Sequence, residues 1–460
     1  MDVHIVFLLM IMVADARDIY EKIGYFWHIT DIHYDSLYHN GARKGCWKAE
    51  HEGGNSASRL QRGPAGRFGD YSCDASWDLI ESAAQMMKSK HNDVNVEFIL
   101  WTGDSLSHFT KHHQDTKKLE TLQNLTDLLH KTFSSQFVFP ALGHDDPSSR
   151  KKMGEMWSRW FPADSLKTFV QGGYYMFERK TEKLQIVVLN TNLMRKGEND
   201  VDAAKQWDWL LAVMRKLKKN GETAYLVGHM APGCDERQRA IQGTHSQAFT
   251  DYYNKKYLSL VRQFSEIIVG QFFGHLHSDT FRVIYNERGH PASWAMLAPA
   301  LTPRRTADGP NNPGLRLYKF NQNTGQILDY TQYYLDLTTA NLDNQAKWSV
   351  EYNFSAHYMI NNITPLALHN LAEKLSNASG DNPTFNRYYR ANSVRFHSNQ
   401  HSSCDATCAH AHYCGITRLD YQEHEHCLKT AASVVASYSL TSTPLNCFSL
   451  LSLFAIFKVR

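Results

Sequence analysis

The chain is 460 residues long, 42% apolar and 21% charged, with a formal net charge of +3. That is enough apolar material for one large core or two smaller ones and excludes a disordered tail. The near balance of charge leaves no basic stripe, so no nucleic-acid binding is expected.

The chain opens on an apolar run, Ile5 to Ala14, too short to span a bilayer and followed by the small-x-small triplet Ala14-Asp15-Ala16. Residues 1–16 read as a secretory signal peptide, with a buried first strand as the alternative. Export predicts disulfides and sequons. Cys46 and Cys73 bracket a Gly-rich, basic loop that needs a staple to stay ordered. Acceptor sequons fall at Asn124, Asn353, Asn362 and Asn377.

Short apolar runs then alternate with helical patterns. "YFWHIT", "VEFILWTG", "QFVFPALG", "LQIVVLNT", "TAYLVGHM" and "IIVGQFFGHLH" have strand length and are rich in aromatic and β-branched residues. Helical spacing appears at Trp77, Ile80, Ala84 and Met87, at Leu119, Leu122, Leu129 and Phe133, and at Trp207, Leu210, Leu211, Met214 and Leu217. This alternation predicts an α/β fold with a largely parallel or mixed sheet covered on both faces. The later runs "ASWAMLAPAL", "LRLYKF" and "ILDYTQYYLDL" follow one another without helices and predict a second, more antiparallel sheet.

After about residue 338 the pattern turns polar and helical, predicting an appended C-terminal subdomain over 338–430. Cys404, Cys408, Cys414 and Cys427 lie in a short, polar, loop-like stretch there and read as local cross-links, with zinc ligation as the alternative. His410/His412 and His424/His426 in the same stretch read as solvated or disulfide-loop residues. The apolar tail Leu445 to Phe457, preceded by a polar spacer and the small residues Ala431, Ala432 and Ser433, has the layout of a glycolipid-anchor signal over 431–460. A terminal helix packed on the domain is the alternative.

The strand-length runs share one feature at their ends. "YFWHIT" runs into Asp31 and His33, "FILWTG" into Asp104, "VFPALG" into His144 and Asp145, "AYLVG" into His229, and "GQFFG" into His275 and His277. In an α/β sheet, loops beyond the carboxyl ends of strands share one edge, so these five segments should meet. Asp and His supply donors suited to zinc and other divalent first-row ions. Seven of them, Asp31, His33, Asp104, His144, His229, His275 and His277, are too many for one tetrahedral ion and fit two ions with a bridging carboxylate.

The ordered motifs Asp-x-His (Asp31, His33), Gly-Asp (Asp104), Gly-His (His229) and Gly-His-x-His (His275, His277) resemble those of the calcineurin-like metallophosphoesterases. More narrowly, "HITDIHYD", "WTGDSLSH", "VGHMAPG" and "FFGHLHSD", with the four late cysteines, resemble the acid sphingomyelinase-like phosphodiesterases from about residue 24 to 430. The tail resembles that of the membrane-anchored subtype.

The resemblance implies two packed mixed β-sheets flanked by helices, two zinc ions, and hydrolysis of a phosphodiester or nucleotide phosphate bond. Residues 17–337 would form the metallophosphoesterase domain. Asp31, His33 and His277 would hold one metal, His229 and His275 the other, and Asp104 would bridge them. His108 matches a histidine that contacts the phosphate or assists the leaving group. The purple acid phosphatases carry a tyrosine three residues after the bridging aspartate; here that position is Ser107, which argues against an iron-tyrosinate centre. Cys404 with Cys408, and Cys414 with Cys427, match the family's disulfide spacing.

One stretch departs from the family. Where it reads Gly-Asn-His-Asp-Pro, this chain reads Gly143-His144-Asp145-Asp146-Pro147. His144 would replace an amide oxygen as a metal ligand, and Asp145 would stand where a histidine acts on the leaving group. Two readings follow: an exported zinc phosphodiesterase, monomeric, acting on a small phosphodiester or nucleotide, with phospholipid less favoured; or a metal-bearing surface protein that has lost turnover and binds or regulates. Secretion, surface anchoring and a lysosomal location all fit the signals.

Overall fold

A computed structural model describes residues 22–430 except 43–44, 49–63, 92, 113, 180–181, 238–246, 305–309, 377–381 and 397–403. The signal over residues 1–16, the anchor signal over 431–460 and the sequon at Asn377 lie outside the described residues. Among the described residues, no helix is long and apolar enough to cross a membrane.

Twelve named strands form two six-stranded sheets. The first contains β1 (Ile23–Ile29), β2 (Val96–Trp101), β3 (Phe137–Pro140), β10 (Gly314–Asn321), β11 (Ile327–Tyr334) and β12 (Ser349–Asn353), in the order β12-β11-β10-β1-β2-β3. The second contains β4 (Tyr175–Phe177), β5 (Leu184–Val188), β6 (Thr223–Val227), β7 (Ile268–Phe273), β8 (Thr280–Tyr285) and β9 (Pro291–Leu297), in the order β4-β5-β6-β7-β9-β8. Parallel pairing joins β1-β2-β3 and β5-β6-β7-β9, and the remaining neighbours are antiparallel.

The apolar runs explain this layering. Every residue of β5 is buried, as expected of a strand covered on both faces. The sheets meet across an aromatic layer centred on Phe26 of β1, whose ring lies 4.8 Å from Phe98 and 4.9 Å from Tyr318 in its own sheet. From the opposite sheet come Tyr225 at 5.7 Å and Phe272 at 5.4 Å. Rings at such separations add to burial through offset and edge contacts.

The helical spacings become α1 (Trp77–Lys90), α2 (Asp115–Thr132) and α3 (Val201–Asn220). Leu79, Ile80 and Met87 of α1 and Leu122, Leu125 and Leu129 of α2 belong to the core that contains the first sheet. A second core joins α3 and α4 (Asp251–Gln263) to the second sheet through Leu210, Met214, Tyr257 and Val261. Ser76 caps α1 and Asp200 caps α3, each accepting a backbone N–H of the first turn.

Two expectations need correction. The runs after residue 290 do not build a sheet of their own: β9 joins the second sheet, while β10 and β11 extend the first by antiparallel pairing on β1. Nor is the late cysteine stretch loop-like. It lies largely on α7 (Ala406–Thr417), which with α5 (Pro365–Ser376) packs on β8 and β9, while α6 (Pro383–Asn392) packs on α5. His412 and His424 are buried there and not solvated. The Tyr388 hydroxyl lies 3.1 Å from His412 Nδ1, and burial lowers the His412 pKa to about 4.

Disulfides join Cys46 to Cys73, Cys404 to Cys408 and Cys414 to Cys427, which removes zinc ligation by the four late cysteines. Cys234 is free and buried.

Candidate metal centre

Strands β1, β2, β3, β6 and β7 all point their carboxyl ends at one edge of the sandwich, and the five predicted segments meet there. Two donor groups result. Asp104, His144, His229 and His275 offer ligand atoms within 4.8 Å of one another, as do Asp31, His33 and Asp104, with Asp104 common to both. His277 completes the second group, its Nε2 lying 3.1 Å from His33 Nε2 and 3.5 Å from Asp31 Oδ1.

Sharp backbone turns aim these side chains. Asp31, His33, Asp104, His275 and His277 all have positive φ, between 44° and 70°. That region is sparsely populated for non-glycine residues, and its concentration in one place marks a site whose geometry the surrounding fold enforces. Close approach does the rest. A Cβ at Gly143 would sit 2.1 Å from the backbone nitrogen of Asp104, so only glycine lets the β2 and β3 ends come together.

Second partners fix the orientation of five of the candidate ligands. His33 Nδ1 donates to the Leu106 carbonyl at 2.9 Å, His229 Nδ1 to Thr102 at 2.8 Å and His277 Nδ1 to Arg304 at 2.8 Å. Each bond leaves Nε2 as the lone-pair nitrogen facing the cluster, the usual support for a ligating imidazole. The aspartates are divided in the same way. Asp31 Oδ2 accepts from Thr30 Oγ1 at 2.7 Å and from the His275 N–H at 2.8 Å, and Asp104 Oδ1 accepts from the Asp145 N–H at 3.0 Å.

Their other oxygens, Asp31 Oδ1 and Asp104 Oδ2, are buried without a hydrogen bond of proper geometry, as is His275 Nδ1. Such orphaned buried atoms are costly unless something absent from the protein itself satisfies them. Bare carboxylate oxygens facing imidazole lone pairs fit divalent cations.

Protonation follows the same logic. Burial, reinforced by neighbouring His108, lowers the His33 pKa to about 3; burial and His229 lower that of His275 to about 3. Both rings are therefore neutral and available as ligands. Burial alone would lower His229, but the Asp104 carboxylate 3.0 Å away outweighs it and raises the pKa to about 10. Burial would likewise raise Asp104, and His229 with His144 holds it well below the usual carboxylate range.

His144 sits inside the first group, its Nδ1 2.8 Å from Asp104 Oδ2 and 3.3 Å from His229 Nε2. Asp145 is buried, and its carboxylate lies 3.7 Å from His144 Nε2. Asp146 turns away and accepts the backbone N–H groups of Gly143 and Ser105, both at 2.8 Å, which pins the turn.

His108 is stacked on His33 with ring centroids 3.8 Å apart. Sequence reasoning missed its partner: Asp74, fully buried, lies 2.9 Å from His108 Nδ1 and also accepts from Ser107 Oγ and the His108 N–H. Burial would lower the His108 pKa, but the bond to Asp74 outweighs it and raises it above its ordinary value. The only signal in the sequence was that Asp74 follows a stapled cysteine.

An α/β sandwich whose strand ends gather two His/Asp groups around one shared aspartate is the architecture of a metal-dependent phosphoesterase. The chain belongs to the calcineurin-like phosphoesterases, which it matches over residues 24–279. Residues 290–434 match the acid sphingomyelin phosphodiesterase C-terminal region. It is 33% identical over 428 residues to the cyclic GMP-AMP phosphodiesterase SMPDL3A of Rattus norvegicus, covering 88% of this chain and 92% of the relative. It is 32% identical over 434 residues to human acid sphingomyelinase-like phosphodiesterase 3b, covering 88% and 90%. Sphingomyelinase phosphodiesterase C of Dictyostelium discoideum is 30% identical, covering 88% and 93%. The protein is thus a phosphoric diester hydrolase of the acid sphingomyelinase-like group.

Proposed function

We propose that this protein is an exported dinuclear zinc phosphodiesterase that hydrolyses small phosphodiesters or nucleotide phosphate bonds. The observation that carries the reading is the pair of His/Asp donor groups sharing Asp104, with Asp31 Oδ1 and Asp104 Oδ2 buried without a hydrogen bond. Asp31, His33, Asp104 and His277 would hold one zinc; Asp104, His144, His229 and His275 would hold the other. When bound, the pair supplies Lewis acidity toward a phosphoryl oxygen and a water of lowered pKa.

The chain's own residues do the rest. His108 Nδ1–H donates to Asp74, and that carboxylate outweighs burial and raises the ring's pKa, so the imidazolium form carries a second proton, on Nε2, for the leaving oxygen. Asp145 stands where the family pattern has a histidine, next to His144, so the position lacks the imidazole that a proton donor near neutrality would use. Esters with good leaving groups depend on that donor least and should turn over best. The relatives' names point to cyclic GMP-AMP and sphingomyelin as the two substrates to compare.

Exposed side chains at Asn124, Asn353 and Asn362 support glycosylation, and the three disulfides support export, to the cell surface or secretions, with lysosomal delivery as the alternative. The test is zinc-dependent hydrolysis of bis(p-nitrophenyl) phosphate by the full chain and by a His144→Asn/Asp145→His variant, from acidic to neutral pH. Turnover within about tenfold of the variant supports a working enzyme. Turnover by the variant alone, with both proteins binding zinc, supports the second reading, which Asp145 favours: a metal-bearing surface protein without catalysis.

A further inference from the structure

The chain that leaves β5 reaches across to the metal centre from the second sheet. Residues Thr191–Arg195 form a single 3-10 turn there. Its base is firmly held. Asn190 is buried, its side chain accepts the Asn192 N–H at 3.2 Å and donates to the Gly172 carbonyl at 2.9 Å. The Gln206 amide bonds the Asn190 backbone at both its N–H and its carbonyl, at 2.8 and 3.1 Å. From this platform Thr191 Oγ1 accepts the N–H of Met230, next to His229, at 3.1 Å. Asn192 Nδ2 donates to the carbonyl of Gly143, next to His144, at 2.9 Å.

Two features set Asn192 apart from ordinary loop support. The strand that carries Gly143, β3, is four residues long and lies at the edge of the first sheet, with β2 on one side alone. Asn192 supplies a hold from the other sheet. Because Asp146 Oδ2 accepts the Gly143 N–H at 2.8 Å, both backbone groups of the residue before His144 are fixed. The second feature is Asn192 Oδ1, which is buried and makes no hydrogen bond. A residue kept for stability alone gains little from a buried amide that is half unsatisfied.

His144 needs such a hold. A backbone carbonyl on Nδ1 orients His33, His229 and His277. His144 turns Nδ1 toward Asp104 instead, and its Nε2 lies 3.7 Å from the Asp145 carboxylate, beyond hydrogen-bond reach. Its position is therefore set by its main chain, and Gly143 sets that main chain.

Resting on the dinuclear zinc reading, we infer that Asn192 is a positioning residue for the donor group of Asp104, His144, His229 and His275. By holding the Gly143 carbonyl it places His144, and so sets the affinity of that group for its ion. The group of Asp31, His33 and His277 draws on other supports and is indifferent to Asn192.

Zinc binding tests this without turnover. The full chain is dialysed against chelator-buffered zinc, and the metal per chain is counted by elemental analysis. The parent should reach two ions. Asn192→Leu, which keeps the shape of the side chain and loses its donor, should hold one ion at the parental affinity and bind the other about 10- to 100-fold more weakly. Asn192→Ala should repeat that result, and urea midpoints of the metal-free proteins show that each variant is folded. In a His144→Ala background, adding Asn192→Leu should change nothing further, because its effect passes through His144.

Unchanged occupancy in the Asn192 variants overturns the inference. Equal weakening of both ions does so too, since it would make Asn192 a general support of the fold, as does a further loss in the His144→Ala background. In each of these cases a parent that reaches two ions keeps the dinuclear reading. A parent that binds fewer than two removes that reading and the inference with it.

Discussion

His108 lies flat on His33, ring centroids 3.8 Å apart, while its Nδ1 is held 2.9 Å from Asp74 Oδ1. One histidine is therefore packed against a candidate metal ligand and fastened from behind by a buried carboxylate. Such an arrangement fixes tautomer and ring plane together, which a proton donor beside a phosphate requires.

Asp74→Asn keeps the size of the side chain and removes its charge. Turnover of bis(p-nitrophenyl) phosphate should fall about 10- to 100-fold, the usual effect of losing such a support. Zinc content, read by elemental analysis, should stay at the parental value. A parallel loss of zinc would make Asp74 a support of the metal centre instead of His108.

At Gly143 the added Cβ would press on the backbone nitrogen and Oδ1 of Asp104, both at 2.1 Å, and neither can move without moving the shared ligand. Gly143→Ala should therefore lose zinc and turnover together. Gly197→Ala, where an added Cβ meets nothing within 4 Å, is the control and should remain within about 0.5 kcal/mol of the parent in denaturant titration. Retention of the bound metal by Gly143→Ala would show that the β3 end tolerates a shift.

The gathering of the candidate donors was legible because parallel strands present their carboxyl ends to one edge, so Asp31, Asp104, His229 and His275 could be brought together from strand order alone. What stayed hidden depends on contacts that no local pattern encodes. Nothing in "LRLYKF" says that β10 pairs with β1 instead of a neighbour in sequence, since the alternation of side chains specifies a face and not a partner. Asp74 sits in "CDASW", where an acidic residue before a helix reads as end decoration, and its role appears only through His108, 34 residues away.

Removing the Cys46–Cys73 disulfide by a double serine substitution should cost about 2–4 kcal/mol, given the 27-residue separation it closes. Cys73 adjoins Asp74, so turnover of bis(p-nitrophenyl) phosphate should fall together with the denaturation midpoint. Unchanged turnover would mean that the bonds of Asp74 to Ser107 and His108 hold it in place without the staple.

Arg282 of β8 and Glu236 form a fully buried ion pair, with Nη2 2.6 Å from Oε2 and the other carboxylate oxygen 3.2 Å from Asn392 Nδ2. Burial alone would raise the Glu236 pKa, but the Arg282 charge outweighs it and holds it below the ordinary value. A carboxyl whose folded pKa is depressed contributes stability above its unfolded pKa, about 4.3, and loses it as pH falls toward the folded value. Glu236→Gln should therefore be destabilised by about 3–5 kcal/mol at pH 7, because Arg282 is left buried without a counter-charge. The gap between parent and variant should narrow below about pH 4.3. Zinc release in acid affects both proteins, so their difference in urea midpoint isolates the pair. A gap that stays constant from pH 7 to pH 3.5 would place the stabilisation in packing around Asn392 and not in the charge of Glu236.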